Sequence, residues 1–174
     1  MKTGIVRRID ELGRVVIPKE IRRTMRLREG EEMEVYVAGE GELILKKYSP
    51  VKNMREFCFE YADLLYRHTG YNCAVTDTDR FVTSATEKEF FCGRSVSRKF
   101  EGFLSGRRSG YFRLPEAESF LPEYGVKELI VAPILTRGDV IGSVVMVSKT
   151  AMTMPDALIR HLEIAADFLS KQAE

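Results

Sequence analysis

Apolar and polar residues alternate in short runs over the first fifty positions, and a helical rhythm follows. Ile5-Val6 and Ile9 read as a strand, Asp10-Glu11-Leu12-Gly13 as a turn with Gly13 free to take positive φ, and Val15-Val16-Ile17 as a second strand. Pro18 suits the first position of a short helix through about Met25, because its missing N–H leaves no bond unmade there. Ile21 and Met25 fall on one face, which turns Arg22 and Arg23 toward solvent. Glu29 to Glu32 form a turn, Met33, Val35 and Val37 alternate with Glu34 and Tyr36 as in a half-buried strand, and Glu40-Gly41 turns the chain into Leu43-Ile44-Leu45. A unit of this size rarely stabilises itself, and it holds no disulfide and no metal ligands. The remaining route is association, so an obligate homodimer of interleaved hairpins is predicted, with strand edges buried in the partner.

The period changes near Tyr48-Ser49-Pro50, which divides the chain into a first domain, residues 1–50, and a second, residues 51–174. Asn53 and Glu56 have the spacing of a capping box, and Met54, Phe57, Cys58, Tyr61, Leu65 and His68 follow at helical spacing up to a stop at Gly70. This aromatic stripe reads as core or dimer packing. Asn72 to Asp77 and Arg80 to Ala85 form a hairpin across Thr78-Asp79, Ser95 to Leu104 a short helix, and Tyr111 to Leu114 a strand. Leu129 to Leu135 is a buried strand in which Pro133 marks an edge or a bulge. Thr136 to Asp139 turns the chain, and Ile141 to Val147 returns beside it. Thr153 and Asp156, with Pro155 between, are expected to cap a last helix with Leu158, Leu162, Ala165 and Leu169 on one stripe. The fold class is α+β.

Charge changes this picture by being local. Lys+Arg 27 nearly cancel Asp+Glu 26. Yet residues 1–28 carry nine bases against three acids, a net of +6, and residues 29–48 carry two lysines against six glutamates, a net of −4. The basic end consists largely of arginines in or beside apolar strands, which favours a DNA phosphate contact over an idle solvated surface. Cys58, Cys73 and Cys92 form no CxxC pair and are odd in number, so buried free thiols in a reducing cytoplasm are expected. His68 and His161 add little to support a zinc site, and no cofactor is expected. No window approaches a membrane span, and the start of the chain has no apolar signal core. These features predict a cytoplasmic chain with no membrane partner.

The first domain resembles the AbrB-type swapped-hairpin DNA-binding domain over about residues 3 to 50. The resemblance rests on Thr3-Gly4-Ile5-Val6-Arg7, Asp10-Glu11-Leu12-Gly13-Arg14-Val15-Val16-Ile17-Pro18, Glu20-Ile21-Arg22-Arg23-Thr24, Glu34-Val35-Tyr36-Val37 and Ile44-Leu45-Lys46-Lys47-Tyr48. It implies an intertwined dimer holding double-stranded DNA through arginines that map onto Arg7, Arg14, Arg22 and Arg23. Arg8 stands where relatives often have another base. Arginine suits bidentate contacts to phosphate or guanine. With no long recognition helix, much of the preference would come from DNA shape and bendability. Swapped hairpins also occur in antitoxins, whose toxin-blocking tails are usually short, whereas this chain continues into a well-patterned globular domain.

The second domain resembles a GAF domain in its order of helix, two strands, irregular middle, strand hairpin and helix. The closest residues are Ala132-Pro133-Ile134, Gly138-Asp139-Val140-Ile141-Gly142 and Val144-Val145. The two domains together resemble the stage V sporulation protein T family of transcription regulators, which implies pairing of dimers to a homotetramer through the first and last GAF-like helices. GAF domains often hold small molecules between sheet and middle segment. Residues 94–113 carry six bases against Glu101, a net of +5. Two readings stand: Arg94, Arg98, Arg107 and Arg108 recognise an anionic small-molecule ligand, or they line a solvated loop. Cys73 and Cys92 could serve as redox-sensing or chromophore-linking thiols, buried structural cysteine being the plainer reading. No nucleophile–base pair, paired acids or metal cluster has convincing spacing, so no enzyme is expected.

Overall fold

The computed structural model describes residues 4–173. The chain divides into two compact units, Met1–Tyr48 and Ser49–Glu174. In the first, α1 (Lys19–Thr24) precedes an antiparallel hairpin of β1 (Met33–Ala38) and β2 (Glu42–Lys47), with Val35 opposite Leu45. A 3-10 turn at Gly39–Gly41 joins the strands, and Gly41 takes φ +80 as the reversal requires. The predicted turn at Asp10 forms: the Gly13 N–H donates to the Asp10 carbonyl at 3.0 Å, and the Asp10 N–H donates to the Arg14 carbonyl at 3.0 Å.

The runs on either side of that turn differ from expectation. Ile5 to Ile9 and Val15 to Ile17 are not in a strand ladder within this chain. A ladder needs a second backbone, and the alternation of these runs finds none here beyond the turn itself. Val6 and Val37 are 88% and 83% exposed, and Ile9, Leu12, Val16, Val35 and Leu43 are exposed with them. Soluble chains seldom leave so many β-branched and aliphatic side chains uncovered in one small unit. Pro18 also stands one position earlier than expected, as the residue that caps α1 with ψ 146.

The second unit is built on one five-stranded antiparallel sheet in the order β4-β3-β7-β6-β5. Its strands are β3 (Asn72–Thr76), β4 (Phe81–Ser84), β5 (Gly110–Arg113), β6 (Glu128–Thr136) and β7 (Asp139–Ser148). Period-two alternation splits the side chains of β6 and β7 between two cores. Ile130, Ala132, Ile134, Val144 and Met146 pack with α3 (Arg55–Thr69) and α7 (Pro155–Gln172), and Leu129, Val131, Val145 and Val147 pack on the other face. Both faces being covered explains why these strands read as unbroken apolar runs. The strand β5 pairs only Glu128 to Val131 of β6, so Pro133 lies beyond it, on a stretch bonded on one side alone. The missing N–H of Pro133 therefore removes no ladder bond to β5.

Two expected caps are replaced. A short α2 (Pro50–Asn53) starts the unit, with the Ser49 hydroxyl accepting the Lys52 N–H, and α3 begins afresh after Met54 without the predicted Asn53–Glu56 box. Thr153 does not cap α7; its N–H donates to the Tyr71 hydroxyl at 2.9 Å, and Met154 takes the cap position at φ 52. Gly70 ends α3 at φ +75 as expected. The middle of the unit adds α4 (Lys88–Phe91), α5 (Arg98–Leu104) and α6 (Glu116–Phe120), of which α4 and α6 had no counterpart in the sequence reading.

Candidate nucleic-acid interface

The turn at Asp10 is built to hold an arginine. Asp10 Oδ1 accepts the N–H groups of Leu12 at 3.0 Å and Arg14 at 2.8 Å, while its Oδ2 takes Arg14 Nε at 2.7 Å. The Arg14 N–H first, and then its guanidinium, hold the Asp10 carboxyl below the usual carboxylate range. The Arg14 side chain stays 71% exposed, and with Nε engaged its terminal nitrogens remain for another acceptor. Asp10 is thus a positioning residue that the sequence reading passed over. Its signal was present as an acid four residues before an arginine across a glycine turn.

The other predicted arginines are exposed around this element. Arg7 lies in the extended lead-in, its Nη1 donating to the Val6 carbonyl at 3.2 Å, with Arg8 next to it. Arg22 and Arg23 occupy the last turn of α1. Helical geometry sets these two about 100° apart, so they address different directions. The negative half of the unit is partly spent internally: Glu31 bridges Lys47 at 2.9 Å, with both side chains 19% exposed.

The bases of the second unit are arranged differently. Arg94 Nη2 binds the Pro122 carbonyl at 3.1 Å and Glu123 at 2.8 Å, and its guanidinium covers the Phe90 ring at 4.2 Å. Arg107 pairs with Asp139 at 3.2 Å, Lys99 with Glu116 at 3.9 Å, and Arg113 with Glu128 at 3.6 Å. Arg98 and Arg108 are exposed. Each paired base has its own carboxylate, drawn from outside the window 94–113 in every case. The face of the sheet toward this segment is packed with rings: Phe81 on Phe91 at 5.1 Å, Phe103 on Phe112 at 4.8 Å, Phe112 on Phe120 at 4.6 Å and Phe91 on Tyr124 at 4.9 Å.

The thiols are not poised for chemistry where they are deepest. Burial pushes Cys58 up to about 12 and raises Cys73 as well, so neither is a thiolate near neutrality. Cys92 is only partly covered.

A family model described as stage V sporulation protein T C-terminal, transcription factor, matches residues 53–174. A second, described as antidote-toxin recognition MazE, bacterial antitoxin, matches residues 6–53. Stage V sporulation protein T of Bacillus subtilis is 44% identical over 99% of this chain and 98% of its own. The transition state regulatory protein AbrB of the same organism is 60% identical over 28% of this chain and 49% of its own length. Among solved structures, the GAF domain of an Acinetobacter phosphoenolpyruvate-protein phosphotransferase superposes with a TM-score of 0.60 at 13% identity, over 74% of this chain and 84% of its own. A free methionine-R-sulfoxide reductase from Thermoplasma acidophilum gives 0.54 at 12% identity, over 71% and 94%. At such identities these last two show the fold alone, a GAF-like one. With a family model over most of the chain and a relative aligned almost end to end, the chain belongs to the stage V sporulation protein T family.

Proposed function

We propose that this chain is a DNA-binding transcription regulator of sporulation genes, acting in the cytoplasm and without catalysis of its own. The alignment with the Bacillus subtilis relative over nearly the whole of both chains carries this reading. Arg7, Arg14, Arg22 and Arg23 are its DNA contacts, with Arg8 as a further base. Arg14 is the most constrained of them, because Asp10 fixes both its backbone and its Nε. The matched antitoxin model covers the hairpin segment only, and the family model for the second unit favours the regulator.

The first unit works as a homodimer in this reading. Its exposed Val6, Val16, Val37 and Leu43 are the side chains that interleaved hairpins would cover. Further pairing through α3 and α7 to a homotetramer is supported by Phe57, Leu64 and Ile164, which are exposed on those helices. Two clamps on one assembly raise the effective concentration of the second clamp once the first is bound. A small-molecule ligand is not part of the proposal, since Arg94 and Arg107 are paired and the sheet face is filled by phenylalanines.

The test is fluorescence anisotropy on a short A·T-rich duplex across a salt series, with wild type beside Arg14→Ala. Each phosphate neutralised adds roughly −0.9 to the slope of log K against log salt. Steep salt dependence that weakens in Arg14→Ala is expected. A folded wild type with no binding at low salt would remove the DNA reading and bring the antitoxin reading forward.

A further inference from the structure

Five segments of the second unit meet at the end where the chain enters it. Ser49 is held there, its hydroxyl donating to Asp77 Oδ2 at 3.3 Å in the turn between β3 and β4. Val51 of α2 lies against Gly142 near the start of β7. The loop after α5 is tied to the same place by Arg107 on Asp139 at 3.2 Å, next to the β6–β7 turn. The C-terminus of α7 joins them through the Ser170 hydroxyl, which donates to the Leu135 carbonyl.

These segments bring together bases that are scattered in sequence. Lys52, Arg80, Arg107, Arg108, Arg137 and Lys171 all lie at this end, and all are exposed. The acids of the two turns there are Asp77, Asp79 and Asp139. Asp77 is buried and gives its oxygens to Ser49 and to the N–H groups of Asp79 and Arg80. Asp139 offsets Arg107. Among the described residues, Arg108 and Arg137 make no ion pair. Two of the arginines also sit where arginine is disfavoured: Arg107 and Arg137 take φ +53 and φ +52, a region that asparagine or glycine occupies more readily.

We infer that Arg108 and Arg137 form a second phosphate contact for double-stranded DNA. The inference rests on the DNA-binding reading above. Ser49 follows Tyr48 directly in the chain, so one chain carries both groups of arginines. Contacts of this kind carry no base specificity; they fix register and add salt-dependent affinity.

The experiment uses the full chain on a duplex of several helical turns. Arg108→Gln with Arg137→Asn removes two charges, asparagine being chosen because it tolerates left-handed φ. Slope and affinity are measured beside wild type and Arg14→Ala, with melting curves to confirm the fold; if the double variant melts early, Arg108→Gln alone carries the test. The expected result is a slope shallower by about 1.8 per protomer, from roughly 0.9 per phosphate, and binding at least about tenfold weaker at about 0.1 M salt. Arg108→Glu should weaken binding further than Arg108→Gln. A double variant matching wild type while Arg14→Ala is weakened would overturn the second contact alone and leave an acidic protein as the partner for this end. Absence of binding by wild type would overturn both readings.

Discussion

Gly142 is where a single methyl group should do the most damage. A Cβ at this position would stand 2.1 Å from the Thr76 carbonyl oxygen, 2.9 Å from Val51 Cγ2 and 3.2 Å from Asp77 Cα. Comfortable non-bonded separation is about 3.5 Å, so main chain must move by more than about 1 Å. The nearest atom belongs to the backbone of β3, a central strand buried along its length, and cannot rotate away. Overpacking of a well-filled core costs about 1–3 kcal/mol, and a clash with strand backbone belongs at the upper end. For a unit of 126 residues, 174 less 48, about 2.1 cal/mol/K per residue turns about 3 kcal/mol into a fall in Tm of roughly 10 °C. Thermal unfolding of Gly142→Ala followed by circular dichroism reads this directly. The strain would reach Asp77 and the Ser49 hydroxyl that anchors the entering chain. A companion variant supplies the opposite sign: Gly102 lies inside α5 with nothing within 4 Å of its Cβ position. Gly102→Ala should stabilise by about 0.5–1 kcal/mol through helix propensity alone. If both variants melt with wild type, the close approach of α2, β3 and β7 is not what holds this end together.

The remaining expectations follow from burial and charge. Phe100 is fully buried between Phe81 and Phe120, so Phe100→Ala should cost about 3–5 kcal/mol, read by urea unfolding. Burial opposes the charge of Glu128, but the Met152 N–H, the Tyr111 hydroxyl and Arg113 together hold it below the ordinary carboxylate range. Its contribution is therefore present above the unfolded value and lost as pH falls through the folded one. Glu128→Gln should accordingly flatten the acid side of a Tm–pH curve. Asp77 is shifted the other way, chiefly by burial against the N–H groups of Asp79 and Arg80. Its stabilising share lies at low pH and fades as pH rises through the folded value, so Asp77→Asn should melt no lower than wild type at pH 8 while Asp77→Ala melts earlier. In a thiol-labelling time course Cys92 should react first, with Cys58 and Cys73 following only on unfolding.

The elements easiest to foresee were those whose side-chain period had one cause. Leu129 to Leu135 and Ile141 to Val147 read as a buried hairpin because each face of the sheet meets a separate apolar core. Leu158, Leu162, Ala165 and Leu169 read as a helix stripe because one face of α7 covers the sheet. What escaped was local and short. Ser49 caps α2 through the Lys52 N–H, Met54 precedes α3, and Met154 takes the cap position of α7 while Tyr71 holds Thr153, arrangements that spacing alone does not display. The helices α4 and α6 hold only 4 and 5 residues, too few for a periodic signal. In the first unit the later alternation announced the hairpin of β1 and β2, whereas the strands expected at Ile5 to Ile9 and Val15 to Ile17 are not in a ladder within this chain.

Charge shows the same division between sequence and space most sharply. In residues 1–28 much of the arginine excess stays exposed, at Arg7, Arg8, Arg14, Arg22 and Arg23, and of the three acids there Asp10 aims Arg14 through its Nε. In residues 94–113 an excess of nearly the same size does not survive. Folding delivers Glu116, Glu123, Glu128 and Asp139 to four of the six bases from elsewhere in the chain. The basic end of the second unit runs in the opposite direction, since Lys52, Arg108, Arg137 and Lys171 are far apart in sequence, yet α2, the loop after α5, the β6–β7 turn and the end of α7 carry them to one end. A charge window thus overstates a site where tertiary contacts import counter-ions and misses one assembled from distant turns. The salt slope of DNA binding counts only charges that reach phosphate, which is why it separates these cases where composition cannot.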